Sequence, residues 1–563
     1  AAFDPTLRND LARTGTLHLL AISGTHLAML AAFLAIAFRI APLNRRATLA
    51  GVVALLLLYT LVVGDQPSVL RSFAMAAALG LSTFLGRRRD PANALALALL
   101  TVLVLDPSSL FEPGMQLSFV AVAALLWGVP PIQAALNKRL PAADPSDPIF
   151  RRLARGGLRA LLLSAGASAA CSITTAPILL WHFHMISPAT IPMNLLALPI
   201  VGVMMGAGFC FLALDLCGLP GPGLLAPLLA FLAEAFEWLV RAGAKVPFAA
   251  VFVPGPGPAA WILGLAGAAA IAWRIWRGRT LRPAVLGTLL ACAALCGVSP
   301  LSGPSAARLL VLDAGEGHCA LLETGRGASI LFDAGSVSMD DASSFAIAPA
   351  LFDRGVRRVD LLVLSSAPPN RANAIEGLAG RIPVRSCLVS SRLALEPAGA
   401  ALLIRLDRLG IPVLEASAGD EVVRIPGARL RILSPAPRGA PGPDAPLVVS
   451  ATCAGKTILF GGEARDGRLA GIPARDLACD VLILPRGGRG LAAPDTLLEA
   501  ARPRLAAASN PERLVSNAVR TALARARVPL WTTGFDGALL LEWPARGGAG
   551  SIEGYASGRT AGF

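Results

Sequence analysis

Residues 1–303 consist of long apolar runs broken by single polar residues, and the remainder consists of short runs bounded by Gly and Asp. A spanning helix needs about 20 mostly apolar residues to cross about 30 Å of hydrocarbon. That criterion predicts spans near 17–41, 47–64, 68–86, 92–106, 115–131, 158–182, 188–215, 222–246, 258–276 and 283–300. Span 92–106 is short, and Pro192 and Pro199 interrupt 188–215, so either could be a re-entrant or broken helix. From Arg308 the pattern changes. Leu309–Asp313 and Cys319–Glu323 flank Gly315-Glu316-Gly317, and Ile330–Asp333 leads into Gly335, as in a chain of hairpins. Strands near 360–364, 386–389, 457–460, 481–484 and 506–509 then alternate with helical segments, so an α/β sandwich is the natural class.

The expected organisation is a polytopic all-α membrane domain (1–303, about ten helices by the span criterion), a soluble α/β domain (304–546) and a Gly/Ser/Ala-rich tail (547–563). The tail is expected to be loosely ordered.

Composition supports lipid as one solvent. The 563 residues are 55% hydrophobic and 15% charged, with mean hydropathy +0.63, whereas soluble chains carry about a quarter of their residues as charges. The formal charge of +14 would suggest nucleic acid in a soluble protein. A membrane protein gathers Lys and Arg in its cytoplasmic loops anyway, so the excess is weak evidence for a DNA partner. Basic clusters at Arg45-Arg46, Arg87-Arg88-Arg89, Lys138 to Arg159, and Arg274, Arg277, Arg279 and Arg282 fall on one side of the predicted spans. The last span then delivers the α/β domain to the outer face, and an error of one span reverses that. The opening Ala1-Ala2-Phe3-Asp4 lacks both Met and a signal peptide and reads as a trimmed start. Five cysteines (Cys171, Cys210, Cys217, Cys292, Cys296) sit in apolar segments. Cys319, Cys387, Cys453 and Cys479 could pair only if the fold brought them together.

Polar residues inside the apolar runs carry more information. His18, Ser23, Gly24, Thr25 and His26 stand in His18-Leu-Leu-Ala-Ile-Ser23-Gly24-Thr25-His26-Leu. Asp65 and Arg71 bracket a turn, Gln116 and Ser118 open a span, His182 and His184 end one, and Asn194 sits among prolines. Each alone is explained by an interhelical hydrogen bond; together they suggest a hydrated path. Arg71 could meet phosphate or pair with Asp65, and the ion pair is the favoured reading.

The run His18 to Leu27 resembles the signature of the ComEC family, the inner-membrane channel of bacterial natural transformation. Further similarities follow in the family's order: Tyr59 to Asp65 and Ser68 to Arg71, Asp106-Pro107 with Gly114-Met-Gln116-Leu-Ser118-Phe119, Thr175-Ala-Pro177 through Phe183, and Asn194 to Pro199. The resemblance implies passage of single-stranded DNA through the lipid bilayer of the cytoplasmic membrane. A periplasmic or surface DNA-binding protein and a cytoplasmic ATP-driven translocase are the implied partners, and a homo-oligomer is open. No GxxxxGK[ST] loop occurs, so ATP hydrolysis would come from a partner. The family's amino-terminal helices and small β-barrel domain have no counterpart in the sequence.

The α/β domain is similar to the metallo-β-lactamase-type αββα sandwich that follows the channel in that family. Val311-Leu-Asp313-Ala-Gly315-Glu-Gly317 resembles its opening hairpin and Phe332-Asp333-Ala-Gly335 its second. After Leu361–Ser365 the family pattern His-x-Asp-x-Asp-His should appear, and this chain has Ser366-Ala-Pro368-Pro-Asn370-Arg371. The later ligand segments correspond to Gly462-Glu463 and Arg486-Gly487-Gly488-Arg489. A catalytic metal site needs convergent imidazoles and carboxylates with one open position. Of the five histidines only His318 lies in this domain, in a hairpin read as distant from the ligand loops, and Glu463 is the one expected ligand retained. No metal or cofactor is therefore expected. Three readings stay open: a non-catalytic structural domain, an anion surface in which Arg371, Arg486 and Arg489 contact DNA phosphates, or catalysis through other residues. A DNA-uptake channel is the leading function; a membrane-tethered hydrolase or nuclease and a transporter of another polar solute are the alternatives.

Overall fold

A computed structural model describes residues 5–20, 24–40, 44–64, 67–88, 90–141, 147–219, 221–253, 266–267, 306–339, 341–422, 425–436, 446–465, 469–545 and 547–563. The chain divides into two compact units, Ala1–Gly297 and Val298–Phe563.

The first unit is helical: α1 (Pro5–Arg13), α2 (Gly24–Ile40), α3 (Arg45–Val63), α4 (Pro67–Phe84), α5 (Pro91–Leu105), α6 (Pro113–Arg139), α7 (Ile149–Phe183), α8 (Thr190–Leu216) and α9 (Pro222–Ala244). Among the described residues, five helices (α3, α6, α7, α8 and α9) are long and apolar enough to cross a membrane, and α2, α4 and α5 hold shorter apolar stretches. The spans expected at 258–276 and 283–300, with the basic cluster from Arg274 to Arg282, fall almost wholly outside the described residues.

Local chemistry sets the helix ends. The Asn44 side chain accepts from the Ala47 backbone N–H at 2.8 Å, and Asp90 Oδ1 accepts from Ala92 N–H at 2.9 Å, each filling a donor that the first turn leaves open. Asp106 closes α5 and caps the next short turn, which is why the span at 92–106 is short. The expectation of a break in 188–215 is corrected: α8 runs unbroken through Pro199. Pro192 lies in its first turn, where no intrahelical donor is lost, and neighbouring helices tolerate the gap at Pro199. A short antiparallel pair, β1 (Met185–Ile186) with β2 (Val251–Phe252), follows the left-handed His184 that ends α7.

The second unit contains two mixed sheets. The first carries β3 (Ala306–Val311), β4 (Gly317–Glu323), β5 (Ser329–Ser336), β6 (Leu361–Val363), β7 (Cys387–Ser390) and β8 (Val413–Ala416), extended by β16 (Leu539–Pro544), β17 (Ser551–Gly554) and β18 (Thr560–Gly562) in the order β18-β17-β16-β3-β4-β5-β6-β7-β8. The other has β9 (Glu421–Val422), β10 (Ala428–Ser434), β11 (Val448–Cys453), β12 (Lys456–Phe460), β13 (Val481–Ile483), β14 (Leu505–Ala508) and β15 (Leu530–Thr532), ordered β15-β14-β13-β12-β11-β10-β9. Strand alternation sends one face of each sheet into a shared core: Leu309, Val311, Leu322, Ile330, Phe332 and Val363 meet Leu430, Val449, Ile458, Phe460, Val481 and Ile483. The opposite face of β12–β14 (Leu459, Leu482, Ala506) packs on α13 (Ala474–Leu477), α14 (Pro494–Ala501) and α15 (Asn517–Arg525) through Leu477, Leu498 and Val519. On the other sheet, α10 (Ala348–Asp353) and α12 (Pro397–Arg408) bury Leu351, Leu402 and Leu406. This is the αββα layering the sequence suggested.

The tail is the second correction. Residues 547–563 are not loose: β17 pairs antiparallel with β16, and β18 with β17. Ile552 is the inward position of that edge hairpin and is buried, while Phe563 lies edge-on to Trp543 at 6.2 Å. Gly and Ser suit a tight hairpin as well as they suit a loose end, and one buried Ile decides between them. The cysteines Cys319, Cys387 and Cys453 are free and buried, behaving as small core hydrophobes.

Candidate functional site

In the helical unit, Arg71, Gln116, His182 and Asn194, among the polar residues singled out in the sequence, make interhelical contacts. Arg71, buried on α4, donates through Nη1 to the Ser118 carbonyl of α6 and through Nη2 to Ser72 Oγ at 3.1 Å. Its guanidinium lies 5.7 Å from the Phe119 ring centre. Gly24 opens α2 against this group: an added Cβ would lie 2.7 Å from Arg71 Nη2. Gln116 Nε2 donates to the Leu110 carbonyl at 2.9 Å, and its Oε1 sits 3.1 Å from His182 Nε2 on α7. Asn194 Nδ2 on α8 donates to Ser168 Oγ on α7 at 2.9 Å. His18 is exposed, with Nδ1 2.8 Å from the Gly15 carbonyl, and His26 is half-buried at the start of α2. Ser23 and Asp65, and with Asp65 the favoured ion pair to Arg71, lie outside the described residues.

The α/β unit brings most of the altered ligand positions together. Asp333 ends the apolar run of β5 in a left-handed conformation (φ 57°) that turns its carboxylate toward the mouth of the sandwich. Gly335 follows because the backbone of α11 (Pro369–Ala372) passes close by; an added Cβ would lie 2.6 Å from Arg371 N. Asp333 accepts from the Ser365 N–H at 2.7 Å, from Ser365 Oγ at 2.9 Å and from Arg371 Nη1 at 2.8 Å. Arg371 also reaches Glu463 Oε1 from Nε at 2.9 Å and from Nη2 at 2.8 Å. Asn370 Nδ2 donates to the same oxygen at 3.3 Å, and Arg486 Nε lies 3.5 Å from Oε2. Gly462 permits this approach with φ 55°, where a Cβ would press within 2.7 Å of the Leu447 carbonyl.

A cleft of about 300 Å³ opens over the cluster, lined by His318, Asn370, Arg371, Glu463, Arg486 and Arg489 among others. Left-handed backbone at Arg486 and Gly487 turns the Arg486 side chain toward it. Arg489 donates to Asn510 Oδ1 at 3.0 Å and faces Glu316 at 3.5 Å. Ser366 and Pro368 lead into α11 and contribute no charge; the Ser366 hydroxyl is buried without a hydrogen-bond partner. Burial, then the Arg371 charge, holds His318 well below the usual imidazole range. Burial likewise pushes the Asp333 carboxyl up, while Arg371 and Ser365 act in the opposite direction.

Two sequence expectations change here. His318 is not distant from the ligand loops: its Nδ1 lies 3.5 Å from Asp333 Oδ2 and it lines the cleft. A bulge between His318 and Ala320 in the β4–β5 pairing, invisible in sequence, accompanies this placement. Arg371 is also unsuited to phosphate, because its side chain is 3% exposed and its donors go to Asp333, Glu463 and the Gly462 carbonyl. Asp333 was the missed member; a lone acid closing the apolar run Ile330-Leu-Phe was its signal.

A metal ion does not fit this residue set. Among the described residues no group of three His, Cys, Asp or Glu side chains could hold one. The guanidinium of Arg371 lies between the two carboxylates and would repel a cation.

Residues 1–278 match the family model described as Competence protein. The chain is 24% identical over 484 residues to ComE operon protein 3 of Bacillus subtilis (80% of this chain, 57% of that protein). It is 29% identical over 397 residues to Competence protein ComA of Neisseria gonorrhoeae (68% and 51%), so it spans about half the length of these relatives. Among solved structures, the α/β unit's likenesses include zinc-bound PqqB of Methylobacterium extorquens (9% identical, 40% of this chain and 97% of that one, TM-score 0.29). Another is a metallo-β-lactamase mutant of Cronobacter sakazakii (20%, 37% and 85%, TM-score 0.21). Through the match over its helical unit, the chain belongs to the competence protein family.

Proposed function

We propose that this protein takes part in DNA uptake during competence, its helical unit passing single-stranded DNA across the cytoplasmic membrane while its α/β unit is non-catalytic and lies on the outer face. The match of residues 1–278 to the competence family carries this reading. Its physical support is the set of buried and half-buried polar groups at helix contacts: Arg71 with Ser118, Gln116 with His182, and Asn194 with Ser168. A translocating strand needs polar or cationic walls that do not read sequence, and groups already held at helix interfaces can line such a path when helices part. The driving force is assigned to an ATP-hydrolysing partner on the cytoplasmic side, with a DNA-binding protein delivering substrate outside.

Deleting the gene and scoring entry of labelled DNA into the cytoplasm tests the reading. Uptake should fall to background, return with the wild-type gene, and stay low with Arg71→Ala at normal protein abundance. Wild-type uptake in the deletion strain would remove the proposal. The α/β unit's part is read from Arg486 and Arg489, each about one-third exposed at the cleft. The double change to alanine should weaken DNA binding by the full chain and flatten its salt dependence by roughly one to two phosphate equivalents. Unchanged binding would confine that unit to a structural role.

A further inference from the structure

We propose that the amino-terminal overhang of α7, residues 149–155, is a lipid-docking segment that bends at Gly156-Gly157 and lays Ile149, Phe150 and Leu153 into an anionic leaflet. α7 has 35 residues, about 52 Å at 1.5 Å per residue, against about 30 Å of hydrocarbon. The run from Ala160 to Phe183 carries no Asp, Glu, Lys or Arg and is long enough to span by itself. Arg159 marks where it leaves the lipid: its Nη2 donates to Asn137 Oδ1, beside Lys138 and Arg139 at the end of α6. Residues 149–155 therefore project beyond that level, past the end of the neighbouring helix.

Three large apolar side chains stand on this overhang. Ile149, Phe150 and Leu153 are 73%, 77% and 70% exposed. Such exposure is ordinary for a side chain facing acyl chains, but these three lie outside the hydrocarbon of an upright helix, where water would meet them. At about 100° per residue they share one arc of about 100°, and Arg151, Arg152 and Arg155 share an arc on the opposite side. Arg155 pairs with Asp147 at 3.1 Å, which leaves the charge of the segment to Arg151 and Arg152, both exposed. Between 138 and 159, six Lys or Arg stand against two Asp. Apolar side chains opposite arginines are the pattern of a helix lying in the plane of a membrane interface, with the cations among anionic headgroups. Ile and Leu offer nothing for a base to stack on, so the face suits acyl chains better than a nucleic acid.

The hinge is Gly156-Gly157. An added Cβ at either would meet nothing within 4 Å, so no close packing calls for glycine there, and paired small residues are where helices bend. Two turns of helix would not hold to a membrane as a free peptide; tethered to a span, they face the leaflet at high effective concentration.

The test uses the full chain with p-benzoylphenylalanine in place of Phe150, in nanodiscs of phosphatidylcholine alone or mixed with phosphatidylglycerol, with and without single-stranded DNA, and then in whole cells. On irradiation, the mass of the adduct names the occupant. Lipid adducts should dominate, with a yield roughly fivefold higher in the phosphatidylglycerol discs at low salt. Arg151→Gln with Arg152→Gln should remove that difference, and Gly156→Ala with Gly157→Ala should cut the lipid yield severalfold in the same discs. Hydrogen exchange of peptides from α6 and α8 should match the wild type in both variants, which separates a lost contact from a lost fold. Adducts chiefly on protein or DNA, equal yields in the two kinds of disc, or a lipid yield indifferent to the glycine pair would each overturn the proposal.

Discussion

Replacing Phe460 with alanine tests whether a cross-sheet aromatic pair sets the spacing of the two acids in the cleft floor. Phe332 on β5 and Phe460 on β12 stack with ring centres 3.5 Å apart and planes 8° from parallel. Each is at least 96% buried. Asp333 is the next residue after the first ring, and Glu463 follows the second by three positions. Truncating a buried Phe costs about 3–5 kcal/mol through lost transfer energy and the cavity left behind. The ring–ring contact itself is worth about 0.5–1.5 kcal/mol beyond burial. Against a typical domain stability of about 5–15 kcal/mol, the single change should lower the unit's unfolding midpoint by roughly 10 °C. A double-mutant cycle with Phe332→Leu and Phe460→Leu, read by hydrogen exchange on the full chain, should give a coupling of about 1 kcal/mol. The local readout is the Ser365 amide, which donates to Asp333 Oδ1 at 2.7 Å and should exchange faster in either variant. Additive energies, or a Ser365 amide with unchanged protection, would refute the idea that the stack positions Asp333.

The remaining predictions concern other joints in the molecule. Below pH 6.5 the unfolded chain protonates His318 while burial keeps it neutral in the fold, so stability contributed above pH 6.5 is lost on acidification at about 1.4 kcal/mol per unit. His318→Gln should flatten the stability profile on the acid side of pH 6.5, and an unaltered slope would contradict this assignment. Deleting residues 547–563 exposes the inward face that Ile552 covers and strips Arg559, 3.1 Å from the buried Asp536. The loss should be about 3–6 kcal/mol in denaturant titration, and a full-strength truncated protein would show the hairpin to be dispensable. Asn194→Ala and Ser168→Ala should each destabilise the helical unit in detergent, with a coupling of about 0.6 kcal/mol; purely additive effects would mean the 2.9 Å hydrogen bond contributes nothing.

Periodicity made both fold classes legible. Apolar runs of spanning length at 47–64, 115–131, 158–182 and 222–246 became α3, α6, α7 and α9, because a helix in lipid must be apolar on every side. Gly-bounded runs became β3 to β5 because strand alternation and turn chemistry are local. The altered ligand segments were equally plain in sequence, and Glu463, Asn370, Arg371 and Arg486 do meet.

What sequence could not decide was every charge's partner. Nothing local says that Arg371 is spent on Asp333, 38 positions away, and on Glu463, 92 positions away; two half-buried arginines and one fully buried one look alike in a string. His318 lay far from the ligand loops in sequence and close to Asp333 in space because β4 pairs antiparallel with β5, with a bulge between His318 and Ala320. The edge hairpin at 551–562 hung on one inward Ile552. Composition and period are set by solvent and backbone and are readable along the chain. Charge pairing, burial and register depend on which strands become neighbours, and only the tertiary structure sets that.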